Sequence, residues 1–138
     1  MNLEILSLSI LSILYLLAFL PSSLGKAKYY GQKWLASNRS LKDGQQEFHL
    51  LNNWGARSER AYRNLQTNYP PFAVAIVLLI TLQLTTKMTG ILSLVYLICR
   101  IGHFVSYMIG FVAPRALFWG LAWGINIYFF VYMLKNYQ

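Results

Sequence analysis

The sequence predicts an all-α integral membrane protein, a single domain built as a bundle of four transmembrane helices. Of its 138 residues, 57% are hydrophobic and only 12% are charged, which is not the balance of a soluble globular domain. Four apolar runs, each near the roughly 20 residues that a helix needs to cross the hydrocarbon core, account for most of the chain. The predicted spans are residues 3–20, 57–84, 91–112 and 116–134, with a polar connection at about 23–56.

The first span is expected to be retained rather than cleaved as a secretory signal. Residues 1–20 are rich in Leu and Ile, but they lack a basic start, since Glu4 is the only early charge. Pro21, Ser22 and Ser23 are expected to end this helix, because Pro does not continue a helix and Ser favours caps and turns.

The net charge of +8 is concentrated between the first two spans, which hold eight of the twelve Lys and Arg residues between them. The positive-inside rule therefore predicts that this connection is cytoplasmic and that both termini lie on the opposite side. The turn at 86–90 then faces away from the cytoplasm, and the connection at 113–115 faces it. Anionic lipid headgroups, rather than nucleic acid, are the expected partners of the basic segment. Its basic residues are Lys26, Lys28, Lys33, Arg39, Lys42, Arg57, Arg60 and Arg63.

Neither a metal site nor a disulfide is expected. His49 has no Cys, His or clustered carboxylate at ligand spacing, so metal ligation is not predicted there. Cys99 is the only cysteine, which excludes a disulfide within the chain.

A polar motif lies where the second span enters the membrane. The apolar run 69–84 is short by itself, so the helix is expected to begin upstream, near Arg57. The residues that share one face of such a helix are Arg60, Asn64 and either Thr67 or Asn68. A cation and an amide are costly in lipid unless a polar group lies against them. A solvated helix end with snorkelling side chains is the alternative interpretation.

The third span carries a stripe of polar and aromatic residues, Tyr96, Arg100, His103 and Tyr107, which step by four, three and four along one face. Burying the Arg100 guanidinium near the midplane costs on the order of 2.5–3.5 kcal/mol, so it must face protein or a water-filled cavity. The stripe favours a functional site, although a membrane His is also often a hydrogen-bonded core residue.

The fourth span begins after Pro114 and Arg115 and is rich in aromatic residues. Gly120 and Gly124 stand four residues apart, a spacing that permits close helix approach. Arg115 has two interpretations, as a functional cation or as a positive-inside anchor of the helix.

Three segments resemble motifs of the MAPEG family, the membrane-associated proteins of eicosanoid and glutathione metabolism. They are Arg60-Ala-Tyr-Arg-Asn64-Leu-Gln-Thr67-Asn68-Tyr-Pro70, Arg100-Ile-Gly-His103-Phe-Val-Ser-Tyr107 and Pro114-Arg115-Ala-Leu-Phe118. The resemblance implies a homotrimer that binds glutathione between subunits, with Arg115 activating its thiol. The residues that it assigns to glutathione binding are Arg60, Asn64, Thr67, Asn68, Arg100, His103 and Tyr107. Thr67 departs from the family, whose enzymes usually have Glu at this position.

The function that the resemblance implies is that of a glutathione-dependent membrane transferase, peroxidase or both, acting on lipophilic electrophiles or lipids. The alternative is a non-catalytic lipid-binding or scaffold protein with the same fold, which Thr67 favours. A four-helix drug exporter is disfavoured, because its first span would need an acidic residue and none occurs from Ile5 to Leu20.

The predicted topology can be tested by cysteine labelling from each side of the membrane. A cysteine at position 40 should react from the cytoplasmic side, and one at the C-terminus should react only from the other side, because the basic bias orients the spans. Labelling of both positions from the same side would contradict the prediction.

Overall fold

The computed structural model of the protein describes residues 2–41 and 45–137. These residues contain six α-helices, one 3-10 turn and no strand. Lys42, one of the basic residues assigned to the connection, lies outside the described residues. The helices are α1 (Leu3–Leu17), α2 (Phe19–Tyr30), α3 (Gln32–Leu35), α4 (Trp54–Thr81), α5 (Lys87–Ile109) and α6 (Val112–Asn136), and the 3-10 turn is Phe48–Leu50.

Three helical segments of the described chain are long and apolar enough to cross a membrane, namely Leu3–Tyr30, Lys87–Ile109 and Val112–Asn136. They agree with the predicted first, third and fourth spans and indicate a multi-pass membrane protein. The second predicted span corresponds to α4, which is a continuous helix of 28 residues. Its N-terminal half is too rich in charged and amide side chains for α4 to count among the apolar segments, so the second span, and with it the total of four, stays a prediction.

The prediction that Pro21, Ser22 and Ser23 end the first helix is wrong. The chain bends only at Ala18, and α2 carries the helical path on to Tyr30. Pro21 lies in the first turn of α2, where a missing N–H breaks no helical hydrogen bond. The Ser22 hydroxyl donates to the Phe19 carbonyl at 2.8 Å, so its hydrogen-bond donor has a partner within the helix.

The turn between α4 and α5 lies at residues 82–86 rather than at the predicted 86–90. Thr86 is the N-cap of α5: its hydroxyl accepts from the Thr89 N–H at 3.2 Å, and its own N–H donates to the Thr89 hydroxyl at 2.8 Å. This reciprocal pair is a capping box, which satisfies backbone donors that a helix start leaves open.

The connection between α5 and α6 consists of Gly110 and Phe111, not of the predicted residues 113–115. Gly110 ends α5 in the left-handed region at φ 97°, which favours glycine. Pro114 falls in the first turn of α6 and is tolerated there for the same reason as Pro21.

The central helix is α5, which packs against α1, α4 and α6. An aromatic stack fixes this packing: the rings of Phe72 and Tyr96 lie parallel with centroids 4.0 Å apart, and Phe129 lies 6.4 Å from Phe72. All three side chains are fully buried. The stack therefore joins α4, α5 and α6 in one core, directly beside the polar stripe of α5.

Arg57 ties the beginning of α4 to the end of α5. Its Nε donates to the Met108 carbonyl at 2.9 Å, and its Nη1 donates to the Asn52 side chain at 3.4 Å. The last carbonyls of a helix lack intrahelical donors and carry the negative end of the helix dipole. A guanidinium at this position therefore stabilises the end of α5.

A close backbone contact between helices occurs at Gly25 and Gly55, where α2 meets α4. A Cβ built on Gly25 would lie 2.8 Å from the Gly55 Cα and 2.8 Å from the Phe48 ring. Gly120 and Gly124 make no such contact within the chain, because a Cβ at either would meet nothing within 4 Å.

Gly25→Ala should destabilise the protein by about 1–3 kcal/mol, because the added methyl collides with backbone that cannot move aside easily. Gly120→Ala is the matched control and should be neutral or stabilising, because it adds helix propensity in open space. Thermal unfolding of the detergent-purified protein, followed by circular dichroism, measures both. Equal stability of the two variants would contradict the contact.

Candidate functional site

The centre of the polar region is the Arg100 guanidinium, which is 1% exposed between α4 and α5. Its Nη2 donates to the Asn64 side-chain oxygen at 2.9 Å and, more weakly, to the Asn64 carbonyl at 3.4 Å. The prediction that Arg100 faces protein is confirmed. The stripe itself is also present: Tyr96 and His103 are buried, and Tyr107 is half-buried.

Asn64 collects donors from its own helix as well. Its carbonyl accepts from the Asn68 side-chain nitrogen at 2.8 Å and from the Thr67 hydroxyl at 3.0 Å. Thr67 is exposed, so its hydroxyl serves its own helix rather than the buried cluster. Asn64 is thus one of the residues through which the α4 motif and the α5 stripe meet.

Several buried polar atoms of this region have no hydrogen-bond partner among the described residues. They are Nε and Nη1 of Arg100, Nε2 of His103 and Oδ1 of Asn126. No carboxylate of the described chain forms an ion pair with Arg100. A buried guanidinium with two unpaired nitrogens is unfavourable by itself, so this site is suited to receive an anionic or carbonyl-rich ligand.

A second network runs beside Arg100 and extends into α6. The Tyr96 hydroxyl donates to the Asn68 carbonyl at 2.8 Å, and the Asn126 side-chain nitrogen lies 3.4 Å from the same hydroxyl. Asn126 is not among the site residues that the sequence predicts. The signal that could have found it is an amide in the middle of an aromatic, apolar span, where an unpaired polar group is costly.

His103, Tyr107 and Arg115 come together at the junction of α5 and α6. The Arg115 carbonyl lies 3.0 Å from His103 Nδ1, and the His103 and Tyr107 rings meet edge to face at 5.7 Å. The Arg115 guanidinium carbon lies 4.5 Å from the centroid of the Tyr107 ring, a cation–π contact. The contact places the positive charge of Arg115 beside Tyr107 and His103 at this junction.

Arg60 is placed apart from both clusters. Its Nη1 donates to the carbonyl of His49 and, at 3.1 Å, to the carbonyl of Leu51, both in the connection. Of the predicted site residues, the structure therefore brings Asn64, Asn68 and Arg100 together, and separately His103, Tyr107 and Arg115. It does not bring Arg60 to either group within one chain.

The chain's own thiol is poorly placed to act as a nucleophile. Cys99 is free and buried in α5, and catalysis by a thiol needs an accessible thiolate. Among the described residues, no group of three or more His, Cys, Asp or Glu side chains is placed to hold a metal ion.

The model of the MAPEG family matches residues 5–135 of the chain. This range extends beyond the three quoted motifs to the first helix and the connection, so nearly the whole chain carries the resemblance. No curated protein and no solved structure matches the chain.

The contact between Asn64 and Arg100 can be measured by a double-mutant cycle. Asn64→Leu should cost about 1.5–3 kcal/mol of stability, because it removes a hydrogen bond to a buried charged group. In an Arg100→Met background the same change should cost much less, because no guanidinium is left unpaired. Asn136→Leu is the control, since its side chain is exposed at the end of α6. Additive costs in thermal unfolding would show that the two residues do not interact.

Proposed function

The chain belongs to the MAPEG family, and on that basis we propose that it is a glutathione-dependent membrane transferase, peroxidase or both. Its substrates are lipophilic electrophiles or lipid hydroperoxides, which reach the site from the bilayer. The observation that carries this proposal is the buried Arg100 guanidinium, which has two nitrogens without a described partner. Glutathione has two carboxylates, and a guanidinium binds a carboxylate through two parallel hydrogen bonds.

The roles of the site residues follow from their positions. Arg100 binds a glutathione carboxylate and is held in place by Asn64. His103 and Tyr107 flank the ligand where α5 ends, and His103 Nε2 is available to it. Asn68 and Thr67 support Asn64 from the same helix.

Arg115 stabilises the glutathione thiolate in this proposal. A free thiol has a pKa near 8.5 and attacks only as thiolate, so a nearby cation raises the reactive fraction at neutral pH. In conjugation the thiolate sulfur forms a bond to an electrophilic carbon, and either a leaving group departs with its bonding electrons or, in addition to a double bond, the neighbouring carbon takes up a proton. In peroxide reduction two glutathione molecules are oxidised to the disulfide, while the hydroperoxide is reduced to an alcohol and water.

The complete site is proposed to form between neighbouring subunits of a homotrimer, on the cytoplasmic side. Within one chain Arg60 bonds to carbonyls of the connection and not to the groups around Arg100 or Arg115, which supports a site completed by a neighbouring subunit. Native mass spectrometry in mild detergent measures the number of subunits, and a purely monomeric protein would contradict this part of the proposal.

Arg115→Ala should raise the pKa of bound glutathione and lower turnover by about tenfold for each pKa unit, because the adjacent cation favours the thiolate. Arg60→Ala should instead raise KM at little-changed turnover, because it removes ligand binding. Lys135→Ala, near the end of α6, is the control for loss of one positive charge. Thiolate ultraviolet absorbance, titrated with glutathione across pH, separates the variants.

Thr67→Glu provides a further arm of the same experiment. The added carboxylate should tighten glutathione binding if the site has the geometry that the resemblance implies. If the wild type gives no thiolate signal and Thr67→Glu restores none, the enzyme proposal fails. The lipid-binding or scaffold alternative then replaces it.

A further inference from the structure

A polar cavity that is open to the surface lies between α2, the connection and α4, on the side of α4 that carries Glu59 and Arg63. Its volume is about 210 Å³, and its lining includes three basic side chains and two carboxylates, those of Lys26, Arg39, Arg63, Glu47 and Glu59. We call it the basic cavity. None of these residues belongs to the proposed glutathione site, so the basic cavity is a separate feature of the molecule.

Aromatic residues hold the walls of the basic cavity in place. The rings of Tyr30 and Trp34 stack with centroids 4.2 Å apart. The Tyr30 hydroxyl donates to the Gln46 carbonyl at 2.8 Å, and the Trp34 indole donates to the Ser40 carbonyl at 3.0 Å. Phe48 is buried beneath them. The connection is therefore fixed to the end of the first apolar helix on both sides of the cavity.

The two carboxylates of the basic cavity are already engaged. Glu59 pairs with Lys26 at 2.8 Å and with Arg63 at 3.1 Å, and it is buried. Glu47 lies 3.2 Å from His49. The Glu59 charge is therefore compensated by two cations, whereas the Glu47 carboxylate is compensated only when His49 is protonated.

Two guanidinium groups remain open to a ligand. The side chain of Arg63 is 56% exposed, and Glu59 engages only its Nε. Arg39 donates through Nε to the Leu35 carbonyl at 3.4 Å, and no carboxylate in residues 2–41 or 45–137 pairs with it. The terminal nitrogens of both groups have no hydrogen-bond partner in those residues. The N–H donors of a planar guanidinium group are spaced to bind two oxygens of a phosphate group.

The backbone of Arg39 supports a ligand-binding role for this segment. Its φ of 57° lies in the left-handed region, which is unfavourable for a residue with a Cβ. The Ser37 hydroxyl accepts from the Arg39 N–H at 3.2 Å and helps to hold this conformation. Strained residues of this kind occur preferentially at ligand sites.

We propose that the basic cavity binds a phosphate group between the guanidinium groups of Arg39 and Arg63. The phosphate belongs to an anionic lipid headgroup or to a soluble phosphate ligand. The lipid source is within reach, because Tyr30 ends an apolar helix that is long enough to span the membrane and Trp34 follows it. Aromatic residues at such positions lie at the level of the headgroups.

The test uses the full chain in mild detergent and native mass spectrometry. Phosphatidic acid and phosphatidylcholine are titrated separately, and inorganic phosphate is then added as a competitor. Arg39→Gln and Arg63→Gln should each weaken phosphatidic acid binding about tenfold, because each removes a hydrogen-bonding charge. Lys33→Gln is the matched control: it removes the same charge from an exposed position outside the cavity lining. It should change binding less than twofold, on the order expected for a screened surface charge.

Arg39→Lys keeps the positive charge but loses the planar guanidinium, so it should recover only part of the affinity for phosphatidic acid. This partial recovery would show that the loss in Arg39→Gln is not a folding defect. Phosphatidic acid that inorganic phosphate does not displace supports the lipid source. Displacement by inorganic phosphate supports the soluble source. Equal weakening in Lys33→Gln and in both arginine variants, or no preference for phosphatidic acid over phosphatidylcholine, overturns the proposal.

Discussion

The buried guanidinium of Arg100 is the constraint on which the rest of the bundle depends. A cation in an apolar interior is tolerated only where polar groups of neighbouring helices meet it. Asn64 supplies that group, and it does so only when α4 and α5 pack in one register. The aromatic stack of Phe72 and Tyr96 fixes the same register one to two turns away. The polar motif of α4 and the polar stripe of α5 are therefore two halves of one interaction.

The sequence predicted which face of a helix is buried, but it did not predict which residues bond to one another. The four-residue spacing from Tyr96 to Arg100 identified a face of α5 that the structure indeed buries. The same reasoning placed Arg60 and Asn64 on one face of α4, yet Arg60 bonds to the connection and Asn64 to Arg100. Helical spacing fixes the direction of a Cβ, whereas a long guanidinium side chain selects among several carbonyls within its reach.

Helix ends were the least predictable part of the fold, and the errors share a physical cause. Pro21 and Pro114 were treated as helix breaks, but both lie in first turns, where a proline removes no helical hydrogen bond. Pro70 and Pro71 lie inside α4, which continues past them. Asn126 was overlooked because its span reads as uniformly apolar, and its contact with Tyr96 depends on which face of α6 meets α5.

The bond from Arg57 to the Met108 carbonyl has a consequence for the order in which the protein assembles. It joins residues 51 positions apart, at the start of one helix and the end of the next. Because the chain is synthesised from its N-terminus, α4 is complete well before its partner carbonyl exists. Until α5 has been made and packs against α4, water must solvate the Arg57 guanidinium. The hydrogen bond from Arg57 to Met108 therefore forms late in biogenesis, after α4 and α5 have packed as a helix hairpin.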